Sequence, residues 1–194
     1  MRDIFFFLFL FFFNSSFSQY PILKDSTLKA GIYKDYKELR ENSPSVQLLG
    51  GIKTETIKYN TNGSLEYLNT YYIDVEGKKA REIGDVFGFS DGKNVFITSD
   101  YATKINKNEF YKLDFINRYS YFYATESSQV LDIQMNVRVE KTLNLETGEI
   151  LKLTNSSLKN IISDDKELLE KFKKQKKKYL HYKEYLLNYL KENK

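Results

Sequence analysis

The chain has 194 residues, with thirty basic against twenty-six acidic side chains, a net charge of +4, one His and no Cys. The lack of Cys excludes a disulfide framework, thiolate zinc sites and cysteine nucleophiles, and a single His cannot build a multi-histidine metal centre. A chain of this length buries roughly 70% of its unfolded surface without cross-links.

Arg2 is followed by an apolar run from Ile4 to Phe13, which turns polar at Asn14-Ser15-Ser16. Basic, apolar and polar regions in that order form a secretory signal peptide. The run is ten residues long, whereas a helix needs about 20 to cross a bilayer, so a transmembrane anchor is not expected. Ser16 and Ser18 precede a cut after Gln19, and no Cys follows for acylation. Residues 1–19 are therefore read as a signal and 20–194 as one exported α+β domain. Its segments are an N-terminal helix region to residue 51, a sheet over 52–154 and terminal helices over 155–194.

A short helix is expected from Tyr33 to Glu41, stopped by Asn42-Ser43-Pro44, since Pro biases the residue before it out of the helical region. From Ile52 the period becomes alternating. Asn62-Gly63, Glu76-Gly77, Asp91-Gly92 and Thr147-Gly148 offer hairpin turns. Strands are predicted over 52–59, 65–75, 79–89, 94–99, 109–116, 119–125, 130–145 and 149–154. The clearest of these seven or eight hairpin-linked elements is the stretch Leu131 to Val139: Leu131, Ile133, Met135, Val137 and Val139 alternate with Asp132, Gln134, Asn136, Arg138 and Glu140. One buried and one wet face indicate an antiparallel sheet, here a meander, curved or partly barrel-like.

Helical spacing returns in the last forty residues. Asn155 or Ser156 can cap a first helix and Ser163 a second. Leu168, Phe172, Tyr179, Leu186 and Leu190, widened by Leu169 and Tyr182, form an apolar stripe, broken once. From Leu158 to Lys194 eleven Lys stand against six acids, a local +5 that leaves about −1 elsewhere. Basic character is confined to the tail, unlike a uniformly basic nucleic-acid binder.

Each candidate site has a plainer reading beside it. His181 lacks a nucleophile or a G-x-S-x-G elbow to serve a triad. Asp85, Asp91, Asp100 and Glu109 contain enough carboxylates for glycoside hydrolysis, which needs two acids about 5 to 10 Å apart, yet turns and sheet edges carry such acids ordinarily. Tyr119, Tyr121 and Tyr123 share one strand face, suited to stacking on sugar rings or meeting a partner, or to cross-strand packing. The run Lys171, Lys173, Lys174, Lys176, Lys177 and Lys178 suits an anionic headgroup, an acidic glycan or a partner protein, or is a solvated helix face. Lys173, Lys174 and Lys177 are the basic binding candidates. No spacing matches a calcium loop, a phosphate loop or a dinucleotide fingerprint, so no cofactor or metal is expected.

Several segments resemble uncharacterised exported proteins of the Bacteroidota. They are Phe17-Ser18-Gln19 closing a Phe-rich signal, Gly31-Ile32-Tyr33-Lys34 leading to Asn42-Ser43-Pro44-Ser45, Gly88-Phe89-Ser90-Asp91-Gly92-Lys93-Asn94-Val95, and Asp164-Asp165-Lys166-Glu167-Leu168. The resemblance implies a Gram-negative periplasm, envelope or secreted location and carries over no catalytic residue. The expectation is a non-catalytic envelope protein with an interaction or scaffolding role, a protein or glycan partner, and peripheral envelope contact through the basic helix. The alternatives are a glycan or small-ligand binder using the Tyr face and, behind it, a carboxylate-dependent hydrolase.

Overall fold

A computed structural model describes residues 20–24, 27–48, 50–61, 64–75, 77–100, 103–104, 109–130 and 133–192. The signal peptide and the Asn62-Gly63 turn lie outside the described residues. In chain order the elements are α1 (Pro21–Lys24), β1 (Gly31–Tyr33), α2 (Tyr36–Arg40), β2 (Ile52–Thr61), β3 (Ser64–Ile73), α3 (Gly77–Ile83), β4 (Asp85–Val86), β5 (Gly88–Ser90), β6 (Val95–Ile97), β7 (Thr103–Lys104), β8 (Tyr111–Phe115), β9 (Tyr119–Val130), β10 (Ile133–Asn144), β11 (Ile150–Lys152), α4 (Asn155–Ile161), α5 (Lys166–Lys174) and α6 (Tyr182–Glu192). A 3-10 turn over Lys178–Leu180 joins α5 to α6.

The fold is α+β, built on an open seven-stranded antiparallel sheet in the order β1-β5-β6-β8-β9-β10-β11. From β5 onward, apart from β7, it runs as the expected meander. The first two predicted strands instead form a separate hairpin, β2–β3, in register from Ile52↔Ile73 to Thr61↔Ser64. It touches the main sheet through the paired backbones of Tyr71 and Phe110, each N–H 2.9 Å from the other's carbonyl.

Two predicted elements need correction. Residues 79–83 are helix, not strand: Lys78, Lys79, Ala80, Arg81 and Glu82 favour helix, and Ala80 and Ile83, three apart, both bury on one face. Tyr33, expected to open the helix that runs to Glu41, instead ends a sheet strand, Gly31–Tyr33, paired with Gly88–Ser90, and the helix starts only at Tyr36. Asp35 sets that start, its carboxylate accepting from Lys37 N and Glu38 N.

Alternation decides which residues enter which layer. One face of the sheet carries Tyr33, Val95, Ile97, Tyr111, Leu113, Phe122, Ala124, Val139 and Leu143, covered by Ile22 of α1 and Leu39 of α2. The other face is covered in two parts. Ile73, Val75, Ala80 and Ile83 lie over Ile32, Phe89, Phe96 and Phe110, while α4, α5 and α6 lie over Phe115, Tyr119, Tyr121 and Tyr123. Phe115 joins the second face despite sharing parity with Leu113, because a bulge between them re-aims it. Among the described residues, every member of these three layers lies between Tyr20 and Leu190.

The helices follow their caps. α4 starts from Thr154, one residue before the expected cap, in a reciprocal pair with Ser157. α5 starts from Asp165 rather than Ser163, its side chain accepting from Leu168 N. The expected break falls between α5 and α6, and it shifts the helical phase. Leu168, Phe172, Leu186 and Leu190 remain buried, but Tyr179 leaves the stripe and is exposed.

Gly148 locks the N-terminal helix to this sheet. With φ at 79° it turns β10 toward β11, and a Cβ there would stand 2.4 Å from the Tyr36 ring.

Candidate functional site

The three tyrosines on one face of β9 lie on the side of the sheet that the terminal helices cover. Tyr121 is wholly buried, stacked on Phe115 at 5.8 Å between centroids, with the Lys183 ammonium 4.9 Å from its ring centre. Tyr119 packs near Tyr189 at 6.5 Å and receives the Arg118 guanidinium at 5.6 Å. Tyr123 meets Tyr121 edge-on at 5.3 Å, and Arg138 covers its ring at 4.2 Å. Cross-strand and helix packing thus accounts for Tyr119 and Tyr121.

Tyr123 lines open space. It borders a depression of about 390 Å³ together with Glu140, Leu180, Lys183, Glu184, Leu187, Asn188 and Lys191. The sheet contributes the first two and the terminal helical segment the rest. Glu140 stands directly across from Tyr123 in the β9–β10 register. Burial pushes its carboxyl above the usual range, opposed by the neighbouring Tyr121 hydroxyl, Arg138 and Lys183. Tyr121 Oη and Glu140 Oε2 are adjacent, yet neither makes a well-formed hydrogen bond among the described residues. Burial, then Tyr123 and Glu140, drive the Tyr121 phenol strongly upward, so it stays protonated.

Beside this depression Arg138 links the layers. It pairs with Glu66 at 2.9 Å and lies 5.5 Å from the Tyr59 ring, whose hydroxyl donates to Glu66 at 2.8 Å. Burial and the Glu66 hydrogen bond push Tyr59 up to about 12. The distal end of the β2–β3 hairpin is thereby fastened to β10.

The remaining predicted candidates are dispersed. Asp91 accepts from Lys93 N, Asn94 N and Asn94 Nδ2, closing its own turn. Asp100 pairs with Lys141 at 3.0 Å. Glu109 accepts from the hydroxyls of Tyr72, Tyr111 and Thr125. Asp85 is exposed on β4, paired in register with Lys104. None of these four acids is shown facing another across a cleft. His181 meets Glu184 at 3.0 Å at the start of α6. Among the described residues no group of three His, Cys, Asp or Glu is placed to hold a metal, and no helix is long and apolar enough to cross a membrane.

The basic candidates sit where α5 ends. Lys173 pairs with Glu170 at 2.7 Å, Lys174 closes the last turn, where a cation complements the helix dipole, and Lys177 occupies the left-handed region at φ 48°. Sequence reasoning missed Glu140 and Lys141. Glu140 belongs to the side of β10 expected to be wet, and that side is indeed open at Asn136 but passes beneath the helices by Thr142. Lys141 is 5% exposed, held by Asp100 at 3.0 Å and Glu126 at 3.2 Å. The only signal for either was a charge inside a long alternating strand.

Comparison with known proteins returned no matching family model, no matching curated protein and no matching solved structure.

Proposed function

We propose that this is an exported, non-catalytic protein of the periplasm or cell envelope that works by binding, in an interaction or scaffolding role. The Gram-negative setting is the one implied by the resemblance to exported Bacteroidota proteins. The supporting observation is how the chemistry-bearing side chains are used. Asp91, Asp100, Glu109 and His181 are each engaged in hydrogen bonds or ion pairs with other side chains or backbone, while Leu65, Tyr67, Tyr179 and Leu180 remain exposed. Side chains of that kind are what contact surfaces use.

The test expresses the full chain in a Gram-negative host and weighs the product of each fraction. A processed species beginning near Tyr20 in the periplasm or medium is expected, and photo-crosslinkers at positions 67 and 179 should give discrete adducts absent from control sites. An uncleaved cytoplasmic product overturns the export reading. Hydrolytic turnover abolished by Asp100→Asn or Glu109→Gln overturns the non-catalytic one.

A second reading, a glycan or small-ligand binder, is favoured by the depression itself, where Tyr123 and Glu140 meet open space. Tyr121 is too buried to touch such a ligand. A glycan array with wild type and Tyr123→Ala decides it, and the reading falls if nothing binds or if the variant binds unchanged.

A further inference from the structure

Among the described residues the large exposed apolar side chains form two pairs, and their surroundings differ. Leu65 and Tyr67, 68% and 58% exposed, lie on the β2–β3 hairpin, where Lys58 covers Tyr67 at 6.0 Å. Tyr179 and Leu180, 54% and 63% exposed, follow directly on six lysines in eight residues. A solvated helix face accounts for the lysines but not for two adjoining apolar side chains turned to water.

The turn that presents this second pair is firmly built. The Lys178 ammonium folds back to the Gln175 carbonyl at 2.6 Å and lies 5.8 Å from the Phe172 ring centre. Phe172 is fully buried against Tyr182 and Tyr185. Lys177 takes a left-handed conformation that reverses the chain. Lys178 is thereby drawn inward while Tyr179 and Leu180 stand outward. Lys171 and Lys173 are matched by Glu167 and Glu170 on their own helix, whereas Lys174, Lys176 and Lys177 form no ion pair among the described residues. Leu187 and Lys191 line the depression that Leu180 borders, extending the mixture of aliphatic and basic groups along α6.

We propose that this turn is a membrane-contact site, at which Tyr179 and Leu180 enter the interfacial region of an anionic bilayer while Lys174, Lys176 and Lys177 meet lipid phosphates. Aromatic and aliphatic side chains gain by leaving water at the headgroup boundary, and lysines beside them gain from the negative surface potential. Neither contribution alone holds a protein to a surface; together they give reversible, salt-sensitive attachment. The site names one partner for the binding role above and rests on that reading only for which leaflet is met, because contact with purified lipid does not depend on export.

The experiment uses the chain from Tyr20 to Lys194, which holds all three apolar layers found among the described residues, and its sedimentation with phosphatidylglycerol-containing or pure phosphatidylcholine vesicles. Binding to the first only, weakening as salt rises, is expected. Lys174→Gln/Lys176→Gln/Lys177→Gln should weaken it about a hundredfold, and Tyr179→Ser/Leu180→Ser roughly tenfold. The chain has no Trp, so Leu180→Trp supplies a unique fluorophore whose emission should shift blue on anionic vesicles. All these positions are exposed, so circular dichroism and Tm should match wild type. A folded protein that ignores anionic vesicles at low salt overturns the proposal. So does binding that survives both sets of changes, or attachment of this turn to an acidic protein without lipid partition.

Discussion

Glu126 and Glu140 project from opposite faces of the β9–β10 ribbon, and their surroundings drive the two carboxyls in opposite directions. Glu126 stands across from Val137 and receives Lys152 at 2.6 Å and Lys141 at 3.2 Å. Glu140 stands across from Tyr123 beneath the terminal helices.

For Glu126, burial opposes ionisation, but the hydrogen bonds from Lys152 and Lys141 outweigh it and hold the carboxyl below its ordinary value of 4.5. A folded-state value below the unfolded one means stability that is present above 4.5 and lost as pH falls through the folded value. Glu126→Gln should therefore lower Tm at pH 7 and flatten the acid limb of Tm against pH. Thermal melts from neutral to strongly acidic pH check this, and an unchanged acid limb counts against it.

For Glu140 the sign reverses. Its raised folded-state value makes the ionised form costly to the fold above that value, and the cost is relieved as pH falls. Glu140→Gln should raise Tm at pH 7.5 by an amount that shrinks toward acid. Tyr121→Phe, removing a hydroxyl without a well-formed bond, should be near neutral, within about 0.5 kcal/mol, since deleting an unsatisfied buried group leaves no orphan behind. A marked loss of Tm in Tyr121→Phe would show that the phenol and Glu140 are firmly bonded.

The terminal helices supply the clearest contrast of burial. Phe172 is fully buried and touches Tyr185 at 4.9 Å between centroids, so Phe172→Ala should cost about 3 to 5 kcal/mol. For a chain of this size that is roughly 10 °C in Tm. Leu180→Ala, in the turn that follows α5 and exposed, should change stability by less than about 0.5 kcal/mol. Removing residues 164–194 should uncover Tyr121 and Phe115 and cause aggregation. A truncated protein that stays monomeric with an unchanged Tm would refute the assigned packing.

How much of this was legible depended on where each element's partners lie. β10 could be read because Val137 and Val139 alternate with Arg138 and Glu140, a pattern contained within the strand. β1 could not, since three residues carry no period and Gly31 finds Ser90 only through the tertiary fold. α3 was not legible because a two-turn helix buries only Ala80 and Ile83, too few apolar positions to mark a helical period. The Tyr119, Tyr121, Tyr123 row was visible from spacing, but what covers it was not. The depression at Tyr123 and Glu140 arises where a sheet and a helix far apart in sequence meet, so no local pattern announces it.

Asn42 shows the same dependence on distant partners in a form open to direct test. At φ 47° it ends α2, and its buried side chain binds the segment before β1, accepting from Lys29 N at 3.0 Å and donating to the Thr27 carbonyl at 3.1 Å. The Tyr33 hydroxyl adds a contact at 3.4 Å. Alanine would leave those backbone groups unsatisfied and force a side chain with no local hydrogen bonding into the left-handed region. Asn42→Ala should therefore cost about 1 to 3 kcal/mol, and Asn42→Gly, which relieves only the backbone, should recover part of it. Hydrogen exchange locates the effect: the Lys29 amide should exchange faster in both variants while the amides of β9 keep their protection. If Lys29 stays as protected as in wild type, the side-chain tether is not what holds residues 27–30 to the sheet.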